Sequence, residues 1–496
     1  MHYHLIGIAG TAMGSLAGLL AAKGHRVTGS DHGVYPPMST LLDDMGIPWV
    51  DGFSPDNLTP TPDRVVVGNA ISRGNVELEA VLDRRLFYTS AADTIKNEFL
   101  RDRRVLAVAG THGKTTTTSI LSWLLECAGL EPSFLIGGVA ENFGTSFRLT
   151  DSDLFVIEAD EYDTAYFDKG PKMWHYLPHV GVVTNVEFDH ADIYRDDEAY
   201  RFAFERFVNL VPRSGRLVVG WDTPVARELA AGAHAPVVSV GLPSDDEAAQ
   251  RGADGKARVP EAPADDAGGA SDAPAPIGRW RADAIEAGPD GTRFTVVRDG
   301  TPLGRVTMPL SGVFNVRNAM AALAAGEAVG AEVDAMIEGL TTFRTVRRRM
   351  EVRGEAGGVI VIDDFAHHPT AVGATLEAVR DRFPGRRIVA VFEPRSYTAQ
   401  LRRFQEGYRG ALARADRVWL AGLFRPERYD ATTGLDPVEL STELTAQGIP
   451  ADHRDTVPEL VEGITADAAP GDVVVVMSNG GFGGIHGRLL EALGNG

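Results

Sequence analysis

The strongest constraint on the fold is a run of apolar residues that ends in a glycine turn followed by lysine and threonines. Residues 105–109 are typical of a buried strand, and the turn after them consists of Gly110, Thr111, His112, Gly113, Lys114, Thr115 and Thr116. Backbone N–H groups of such a turn face phosphates, the lysine reaches the β- and γ-phosphates, and the first threonine offers a hydroxyl to Mg²⁺. The segment therefore predicts a nucleotide triphosphate site.

The spacing of this turn differs from the standard G-x-x-x-x-G-K-[ST] loop. Val108 stands where the first glycine is expected, and Gly110 gives a shorter G-x-x-G-K-T instead. The residues after the turn still predict a helix, because five apolar residues share one helical face. They are Ile120, Leu121, Leu124, Leu125 and Ala128.

The chain has 496 residues, which is more than one hydrophobic core usually supports. Strand and helix patterns alternate throughout, which predicts an α/β protein. We expect three domains: residues 1–104, residues 105–346 around the phosphate loop, and residues 347–496. Residues 243–277 are rich in Ala, Asp, Pro and Gly, with almost no large apolar side chains, and predict a disordered insertion in the middle domain. An acidic recognition segment is the alternative.

Composition limits the possible partners and the location. The formal net charge of −20 argues against nucleic acid and anionic membranes, which both attract basic surfaces. No apolar run approaches the length of a membrane span. The single cysteine, Cys127, and a chain that opens on a predicted strand rather than a signal peptide indicate a reducing compartment, so we expect a cytoplasmic protein. The oligomeric state is left open.

A second glycine turn lies near the N-terminus. Residues 7–14 resemble a dinucleotide-binding turn, but Ala9 and Ala12 replace its second and third glycines, which weakens an NAD site. A nucleotide or another anion bound there remains one interpretation, with Asp31 as a hydroxyl acceptor. A tight turn without a ligand is the other.

Carboxylates and a histidine follow two predicted strands of the middle domain. Residues 158–163 contain Glu158 at a strand end, and residues 185–192 place His190 among three carboxylates. Carboxylates beside a phosphate loop are suited to hold the Mg²⁺ of a nucleotide, and such a histidine is a metal-ligand candidate. A solvated acidic surface is the alternative.

Several further motifs lie at predicted strand ends or domain boundaries. Asn315 and Asn318 would cap a helix predicted at residues 319–329 or contact a base, and residues 347–349 form a basic cluster that is either a ligand contact or a solvated linker. Residues 363–369 and 477–486 follow strands of the third domain, where open α/β sheets bind ligands.

Six of these motifs occur together and in order, and they resemble the Mur ligase family over essentially the whole chain. They are residues 110–116, 158–161, 185–190, 312–318, 348–351 and 363–369. The resemblance implies an N-terminal Rossmann-like domain that binds UDP, a central P-loop ATPase domain, and a C-terminal Rossmann-like domain that binds the peptide and closes over ATP.

The resemblance also implies residue roles. Lys114, Glu158 and His190 are expected to be catalytic, with Thr115 and Glu158 holding one Mg²⁺ and Glu158 and His190 a second. ATP would contact residues 110–116, Asn315, Arg349 and Asp364. The UDP-sugar would be bound by Gly7, Gly10, Thr11, Met13, Asp31 and Asn69.

The implied reaction is ATP-dependent ligation of UDP-N-acetylmuramate to the murein tripeptide L-alanyl-γ-D-glutamyl-meso-2,6-diaminopimelate. Residues 34–40, 68–75, 167–176, 392–396 and 478–486 favour this branch over the branch that adds L-alanine, which is the alternative. Several family members use a carbamylated lysine as a metal ligand. No lysine occurs from Met173 through Gly255, so either Glu205 or water would take its place, or the second metal would be held more loosely. Arg395, His453 and residues 478–486 are unranked candidates for binding the peptide carboxylates.

Overall fold

The computed structural model describes residues 1–34, 38–245, 278–430 and 432–494. Three separate large sheets follow one another along the chain, and helices pack on them, so the expected α/β fold is confirmed. Of the predicted insertion at 243–277, residues 246–277 lie outside the described residues. No helix in the described ranges is long and apolar enough to cross a membrane.

The first sheet has five parallel strands in the order β3-β2-β1-β4-β5. The strands are β1 (His2–Ile6), β2 (Arg26–Asp31), β3 (Trp49–Asp51), β4 (Arg64–Val67) and β5 (Tyr88–Ser90). The helices are α1 (Thr11–Ala22), α2 (Met38–Asp44), α3 (Val76–Asp83) and α4 (Ala91–Ile95). The strand order reverses beside β1, which is where doubly wound sheets bind ligands.

The second sheet contains ten strands, with the phosphate-loop strand near its middle. Its first seven strands are β6 (Arg104–Ala109), β7 (Ser133–Ala140), β8 (Thr145–Arg148), β9 (Leu154–Glu158), β12 (Pro178–Val183), β13 (Arg216–Gly220) and β14 (Val237–Gly241). An antiparallel extension consists of β15 (Gly278–Gly288), β16 (Gly291–Arg298) and β17 (Thr301–Met308). Strands β9 and β12 flank β6 in parallel, so their carboxyl ends meet beside the phosphate loop.

A two-stranded hairpin, β10 (Asp163–Ala165) and β11 (Asp168–Pro171), follows β9. The helices of this part are α5 (Lys114–Cys127), α6 (Asp197–Asn209), α7 (Pro224–Ala231), α8 (Val313–Glu327) and α9 (Val333–Leu340). Helix α8 begins at Val313, six residues before its predicted start. Asn315 and Asn318 therefore lie inside the helix, and the prediction that they cap it is wrong.

The third sheet has six strands in the order β18-β19-β23-β20-β21-β22. They are β18 (Glu351–Ala356), β19 (Val359–Asp364), β20 (Ile388–Phe392), β21 (Arg417–Ala421), β22 (Ala451–Arg454) and β23 (Val473–Met477). The helices are α10 (Pro369–Arg382), α11 (Gln405–Leu412), α12 (Pro437–Ala446), α13 (Val457–Asp467) and α14 (Ile485–Gly494). The edge strand β18 is antiparallel to β19, and the remaining pairs are parallel.

The first two sheets share a continuous hydrophobic core, whereas the third has its own core on each face. The ring of Phe147 packs so closely on Gly18 of α1 that a Cβ there would lie 2.1 Å from it. A cleft of about 2200 Å³ opens between the three sheets and is lined by residues of each. The loops after the parallel strands converge on this cleft.

Candidate active site

At two positions of the phosphate loop, only glycine fits both the backbone conformation and the surrounding space. Gly110 has a φ of +139°, and a Cβ there would lie 2.0 Å from Thr184 Oγ1. Gly113 has a φ of +84°, and a Cβ there would lie 2.5 Å from Asn318 Oδ1 on α8. The shortened G-x-x-G-K-T turn is thus held between the end of β12 and α8.

Hydrogen bonds to the segment after β12 fix the middle of the loop. Thr111 Oγ1 donates to the Glu187 carbonyl at 2.9 Å and lies 2.9 Å from the Tyr200 hydroxyl. The His112 N–H donates to Asn185 Oδ1 at 2.9 Å, and Asn185 Nδ2 donates to the His112 carbonyl at 3.0 Å. Asn185, part of a motif quoted for the family but not selected as a site residue, therefore positions the loop.

Lys114 and His190 meet on one carboxylate, that of Glu161. The Lys114 ammonium lies 2.9 Å from Glu161 Oε1 and 2.7 Å from Oε2, and it also donates to the Gly110 carbonyl at 2.6 Å. His190 Nε2 lies 3.0 Å from Glu161 Oε1. Glu161 has no exposed side-chain surface. The sequence marked its acidic cluster but not this residue, because the direction of each carboxylate depends on the turn after β9.

These contacts set the protonation states of the three groups. Burial by itself would lower the pKa of Lys114, but the carboxylates of Glu161 and Asp160 outweigh it and hold that pKa above its usual value. Burial opposes ionisation of Glu161, yet Lys114 and His190 keep its pKa below the usual value. The hydrogen bond to Glu161 likewise overcomes burial and raises the pKa of His190.

Glu158 and Thr115 form a second polar group beside this one. Thr115 Oγ1 donates to Glu158 Oε1 at 2.9 Å, and the Gly137 N–H donates to Oε2 at 2.8 Å. Within the described residues, no lysine, arginine or histidine forms a salt bridge with Glu158, and burial raises the pKa of its carboxyl group. A half-buried carboxylate beside a hydroxyl, without a salt-bridged cation of its own, fits a Mg²⁺ ligand set.

Asp160 and the ring of Tyr162 extend the polar cluster toward the hairpin. Lys172 Nζ lies 3.2 Å from Asp160 Oδ2 and 5.4 Å from the centre of the Tyr162 ring. The same ring lies 4.1 Å from the ring of His190. Burial opposes ionisation of Asp160, but Lys172 and Lys114 hold the pKa of that carboxyl below its usual value.

The third domain adds Arg349 from the linker that precedes β18. Arg349 Nη2 lies 3.4 Å from Thr115 Oγ1, and its guanidinium packs on the Phe365 ring at 4.8 Å. The adjacent Arg348 binds the carbonyl oxygens of Ser478 and Gly480. All three arginines of the basic cluster therefore line the cleft, and Arg347 also pairs with Glu141.

Asp364 is buried, and protein donors already contact both of its oxygens. The Met350 N–H donates to Oδ2 at 2.8 Å, and the Ala366 N–H donates to Oδ1 at 2.8 Å. Thr375 Oγ1 also donates to Oδ1, at 3.2 Å. In this arrangement Asp364 holds the linker and the turn after β19, and burial raises the pKa of its carboxyl group.

Two histidines of the third domain face carboxylates of the second. His367 Nε2 lies 3.6 Å from Asp189 Oδ2, and His368 Nδ1 lies 3.6 Å from Glu187 Oε2. His112 Nε2 is 3.2 Å from the same Glu187 oxygen. This group brings residues 112, 187 and 368 within 4.8 Å of one another. It forms a polar contact between the two domains at the rim of the phosphate loop.

Asn315 and Asn318 are buried in the first turns of α8, against the phosphate loop. Asn315 Nδ2 donates to the Ser311 carbonyl at 2.8 Å, and Asn318 Nδ2 donates to Asn315 Oδ1 at 3.3 Å. Both side chains line the cleft. They are therefore placed to contact a nucleotide on that loop.

The residues predicted to bind a UDP-sugar surround the carboxyl edge of the first sheet. Thr11 opens α1 and lines the cleft, whereas Met13 is buried. Asp31 Oδ2 accepts from the Ala9 N–H at 2.8 Å and so holds the turn that contains Gly7 and Gly10. Asn69 donates to Asp163 Oδ1 of the hairpin at 3.0 Å, which ties the first domain to the second.

Glu205 does not lie at this site. It is exposed on α6 and lines a separate surface pocket with Arg201, Glu228 and neighbouring residues. The expectation that it replaces a carbamylated lysine is therefore wrong. The error arose because the position was chosen by distance along the chain from His190, whereas the helix turns Glu205 outward and Phe204 inward.

The candidates for peptide recognition lie in two different places. Arg395 packs closely on Gly480, where a Cβ would lie 2.1 Å from the Arg395 side chain, and its guanidinium lies 4.1 Å from the Phe424 ring. His453 instead pairs with Asp455 at 3.3 Å. Asn479, Gly480 and His486 of the glycine-rich turn line the cleft.

Models of the Mur ligase family match three consecutive parts of the chain. They describe the Mur ligase family catalytic domain at residues 2–101, the Mur ligase middle domain at residues 108–326 and the Mur ligase glutamate ligase domain at residues 348–480. The chain belongs to the Mur ligase family. This Mur ligase is accordingly an ATP-dependent enzyme that forms amide bonds.

Two curated relatives match this Mur ligase over nearly its whole length. UDP-N-acetylmuramate–L-alanyl-γ-D-glutamyl-meso-2,6-diaminoheptandioate ligase of Escherichia coli (strain K12) is 41% identical over 497 residues, covering 99% of this chain and 98% of the relative. UDP-N-acetylmuramate–L-alanine ligase of Roseiflexus sp. (strain RS-1) is 36% identical over 490 residues, covering 97% and 96%.

A solved structure supports the same relationship. The murein peptide ligase of Psychrobacter arcticus 273-4 is 35% identical to this Mur ligase, with a TM-score of 0.71 over 100% of this chain and 99% of that one. The three-domain α/β Mur ligase fold that the sequence motifs implied is confirmed.

Proposed function

We propose that this Mur ligase joins the lactyl carboxylate of UDP-N-acetylmuramate to the L-alanine amine of the tripeptide L-alanyl-γ-D-glutamyl-meso-2,6-diaminopimelate in murein recycling. The observation that carries the proposal is the 41% identity, over nearly both full lengths, to the E. coli ligase named for these substrates. The match to an L-alanine ligase is weaker, at 36%. Ligation of L-alanine is therefore the second candidate.

The reaction must first activate the lactyl carboxylate, because oxide would be a poor leaving group if an amine attacked that carboxylate directly. A lactyl carboxylate oxygen attacks the γ-phosphorus of ATP, the bond to the β–γ bridging oxygen breaks, and ADP leaves. The peptide amine then attacks the carbonyl carbon of the acyl phosphate. The C–O bond to phosphate breaks, inorganic phosphate leaves, and the nitrogen loses a proton to give the amide.

The first step brings two anions together, so the proposed roles of the residues are mainly electrostatic. Lys114 leaves Glu161 to hold the β- and γ-phosphates. Arg349 approaches the same phosphates from the third domain, and His190 holds Glu161 until nucleotide and Mg²⁺ bind. We assign ATP contacts to residues 110–116, Asn315, Arg349 and Asp364.

We assign one Mg²⁺ to Thr115 and Glu158 and a second to Glu158 and His190. When bound, Mg²⁺ supplies positive charge against the phosphate oxygens. The support is the half-buried Glu158 carboxylate, whose pKa is raised and which forms no salt bridge with a cation within the described part of the chain. In this structure His190 contacts Glu161 instead of Glu158. His190 can therefore bind Mg²⁺ only after its contact with Glu161 breaks.

The remaining assignments concern the domains and the sugar. We propose that residues 1–104 bind the UDP-sugar through Gly7, Gly10, Thr11, Met13, Asp31 and Asn69. Residues 105–346 would bind ATP, and residues 347–496 would bind the peptide and close over ATP. We place the reaction in the cytoplasm, where ATP is available and the single cysteine stays reduced.

An acceptor panel tests the substrate assignment. ADP release is measured with UDP-N-acetylmuramate and, in turn, L-alanine, a dipeptide, the tripeptide and a tetrapeptide. We expect rapid release only with the tripeptide or longer peptides that begin with L-alanine. Equally fast release with free L-alanine would favour the second candidate instead.

A variant separates the phosphate role from sugar binding. Lys114→Ala is expected to abolish acyl-phosphate formation, while UDP-N-acetylmuramate still binds with near-normal affinity because it lies mainly on the first domain. Isothermal titration with the UDP-sugar and a single-turnover assay with ATP measure the two effects. Comparable loss of both would contradict the assignment of the two substrates to different domains.

A further inference from the structure

A second lysine, Lys172, pairs with the acidic cluster from the segment after the hairpin. Lys172 follows β11 and begins a short helical turn, Lys172–His175. Its ammonium lies 3.2 Å from Asp160 Oδ2, its side chain is 18% exposed, and it lines the central cleft. The segment that carries it, residues 167–176, has no role in the mechanism described so far.

The charges around the cleft leave a distinct position for this lysine. Lys114 binds both oxygens of Glu161, and Arg349 lies on the phosphate-loop side at Thr115. Lys172 follows the hairpin and pairs with Asp160, and the ring of Tyr162 contacts both Lys172 and His190. The two lysines are thus paired with different carboxylates of the cluster.

An anionic acceptor that enters this cleft meets strong repulsion. Its carboxylate must come near the γ-phosphate, and the carboxylates of Glu158, Asp160 and Glu161 lie at the same place. In the function proposed above, Lys114 holds the phosphates of the nucleotide. A further cation beside the acceptor carboxylate would lower this repulsion.

We propose that Lys172 is this cation and binds the lactyl carboxylate of UDP-N-acetylmuramate, which rests on the function proposed above. The pair with Asp160 holds the ammonium at the cleft in the absence of substrate. The four-carbon stem of a lysine lets the ammonium turn from Asp160 to an incoming carboxylate without movement of the backbone. Lys172 is thus a substrate-positioning residue for the activation step.

The test compares two ligands that differ in the lactyl group. UDP-N-acetylglucosamine carries the same nucleotide and an N-acetylated sugar but has no lactyl carboxylate. Dissociation constants for both ligands are measured by isothermal titration on the wild type, Lys172→Met, Lys172→Arg and Lys169→Met. Lys169 is a matched control, because it lies on the same hairpin with its side chain 69% exposed.

Lys172→Met should weaken the binding of UDP-N-acetylmuramate by roughly 10- to 100-fold, which corresponds to the loss of a charge-assisted hydrogen bond. The affinity for UDP-N-acetylglucosamine should change by less than about twofold, which also shows that the variant is folded. Lys172→Arg should keep part of the preference for the lactyl sugar, and Lys169→Met should keep all of it.

Two outcomes would overturn the inference in distinguishable ways. If Lys172→Met weakens both ligands equally, or neither, then Lys172 does not bind the lactyl group, while the proposed function stands. If the wild type binds UDP-N-acetylmuramate no more tightly than UDP-N-acetylglucosamine, the proposed substrate fails as well. A preference that is present in the wild type and lost in Lys172→Met supports both.

Discussion

Glu161 balances two charged groups at the centre of the site. Its carboxylate is fully buried and contacts both Lys114 and His190. Removing one partner of a buried ion pair leaves an uncompensated charge, which costs about 3–5 kcal/mol. When ATP binds, its phosphates supply the negative charge that Lys114 otherwise takes from Glu161.

Glu161→Gln should therefore lower the free energy of unfolding by about 3 kcal/mol without ligand. Saturating ATP with Mg²⁺ should stabilise this variant more than the wild type, because the phosphates replace the lost charge. Urea unfolding with and without nucleotide measures both effects. Glu286→Gln is the control: Glu286 pairs with Arg305 at the surface, and its loss should cost less than about 0.5 kcal/mol. Equal urea midpoints for Glu161→Gln and the wild type would contradict the prediction.

A substitution at Gly113 can be compared with a matched control substitution at Gly129. Gly113→Ala places a Cβ 2.5 Å from Asn318 Oδ1 at a φ of +84°, so the loop must shift. Gly129→Ala meets the same backbone strain at a φ of +74° but has open space around it. We expect Gly113→Ala to weaken ATP binding by at least tenfold, whereas Gly129→Ala costs about 1 kcal/mol of stability and leaves ATP affinity unchanged. Equal ATP affinities in the two variants would contradict the role of the close contact.

For individual residues, the sequence indicated much of the site. The sequence predicted that Lys114, Thr115 and Glu158 belong to one site, and the structure places them side by side. The lysine turn follows one strand and the carboxylate ends another. Because these two strands are neighbours in the sheet, their carboxyl ends meet. The sequence did not distinguish Glu161 from the neighbouring carboxylates as the partner of Lys114. The suggestion that Glu205 replaces a carbamylated lysine was wrong. Both depend on side-chain direction in irregular backbone, which the spacing of residues does not determine.

Elements with a strong hydrophobic pattern were predictable, and short ones were not. Strand β20 is a continuous apolar run, and strand β9 is apolar up to its last residue, Glu158, so the local sequence indicates both strands. Strands β3 and β5 have three residues each and were not predicted, because pairing with neighbours rather than local sequence makes them strands. Helix α8 begins early because Gly312, with a φ of +95°, starts it.

One element gives a pH prediction, the helical segment at residues 96–100 that packs on the first sheet. Its Glu98 accepts hydrogen bonds from Tyr3 at 2.8 Å and Lys23 at 2.7 Å, and lies 3.1 Å from His25 Nε2. Burial opposes ionisation, but these partners lower the pKa of Glu98 to about 2. Because the folded pKa is below the unfolded one, this stabilisation is complete above about pH 5 and is lost as the pH falls toward 2.

Glu98→Gln should therefore destabilise the protein by roughly 1–3 kcal/mol at pH 7 and by progressively less between pH 5 and pH 2. Urea midpoints of the variant and the wild type across this range provide the measurement. The difference between the two proteins should shrink on acidification. A difference that is constant with pH would show that Glu98 acts through packing alone.

At the scale of the whole molecule, the site is complete only where the second and third domains meet. Arg348 and Met350 in the linker have positive φ angles of 62° and 50°, which are uncommon for residues other than glycine. Beyond the linker, the polar contacts between the domains include His367 with Asp189, His368 with Glu187, and the Ala191 N–H, which donates to Thr398 Oγ1 at 3.1 Å. Phe314 of α8 also packs on the core of the third sheet. The two histidine–carboxylate contacts make the position of the third domain sensitive to small changes in charge.

The double variant His367→Ala/His368→Ala should therefore favour an open molecule. Small-angle X-ray scattering is expected to show a radius of gyration larger than that of the wild type by on the order of 1 Å, because the third domain swings away about the linker. A non-hydrolysable ATP analogue with UDP-N-acetylmuramate should close the wild type more completely than the variant. His453→Ala, which removes a histidine of the same domain paired only with the exposed Asp455, should scatter like the wild type. Identical scattering from all three proteins would mean that the linker, and not the histidines, sets the position of the third domain.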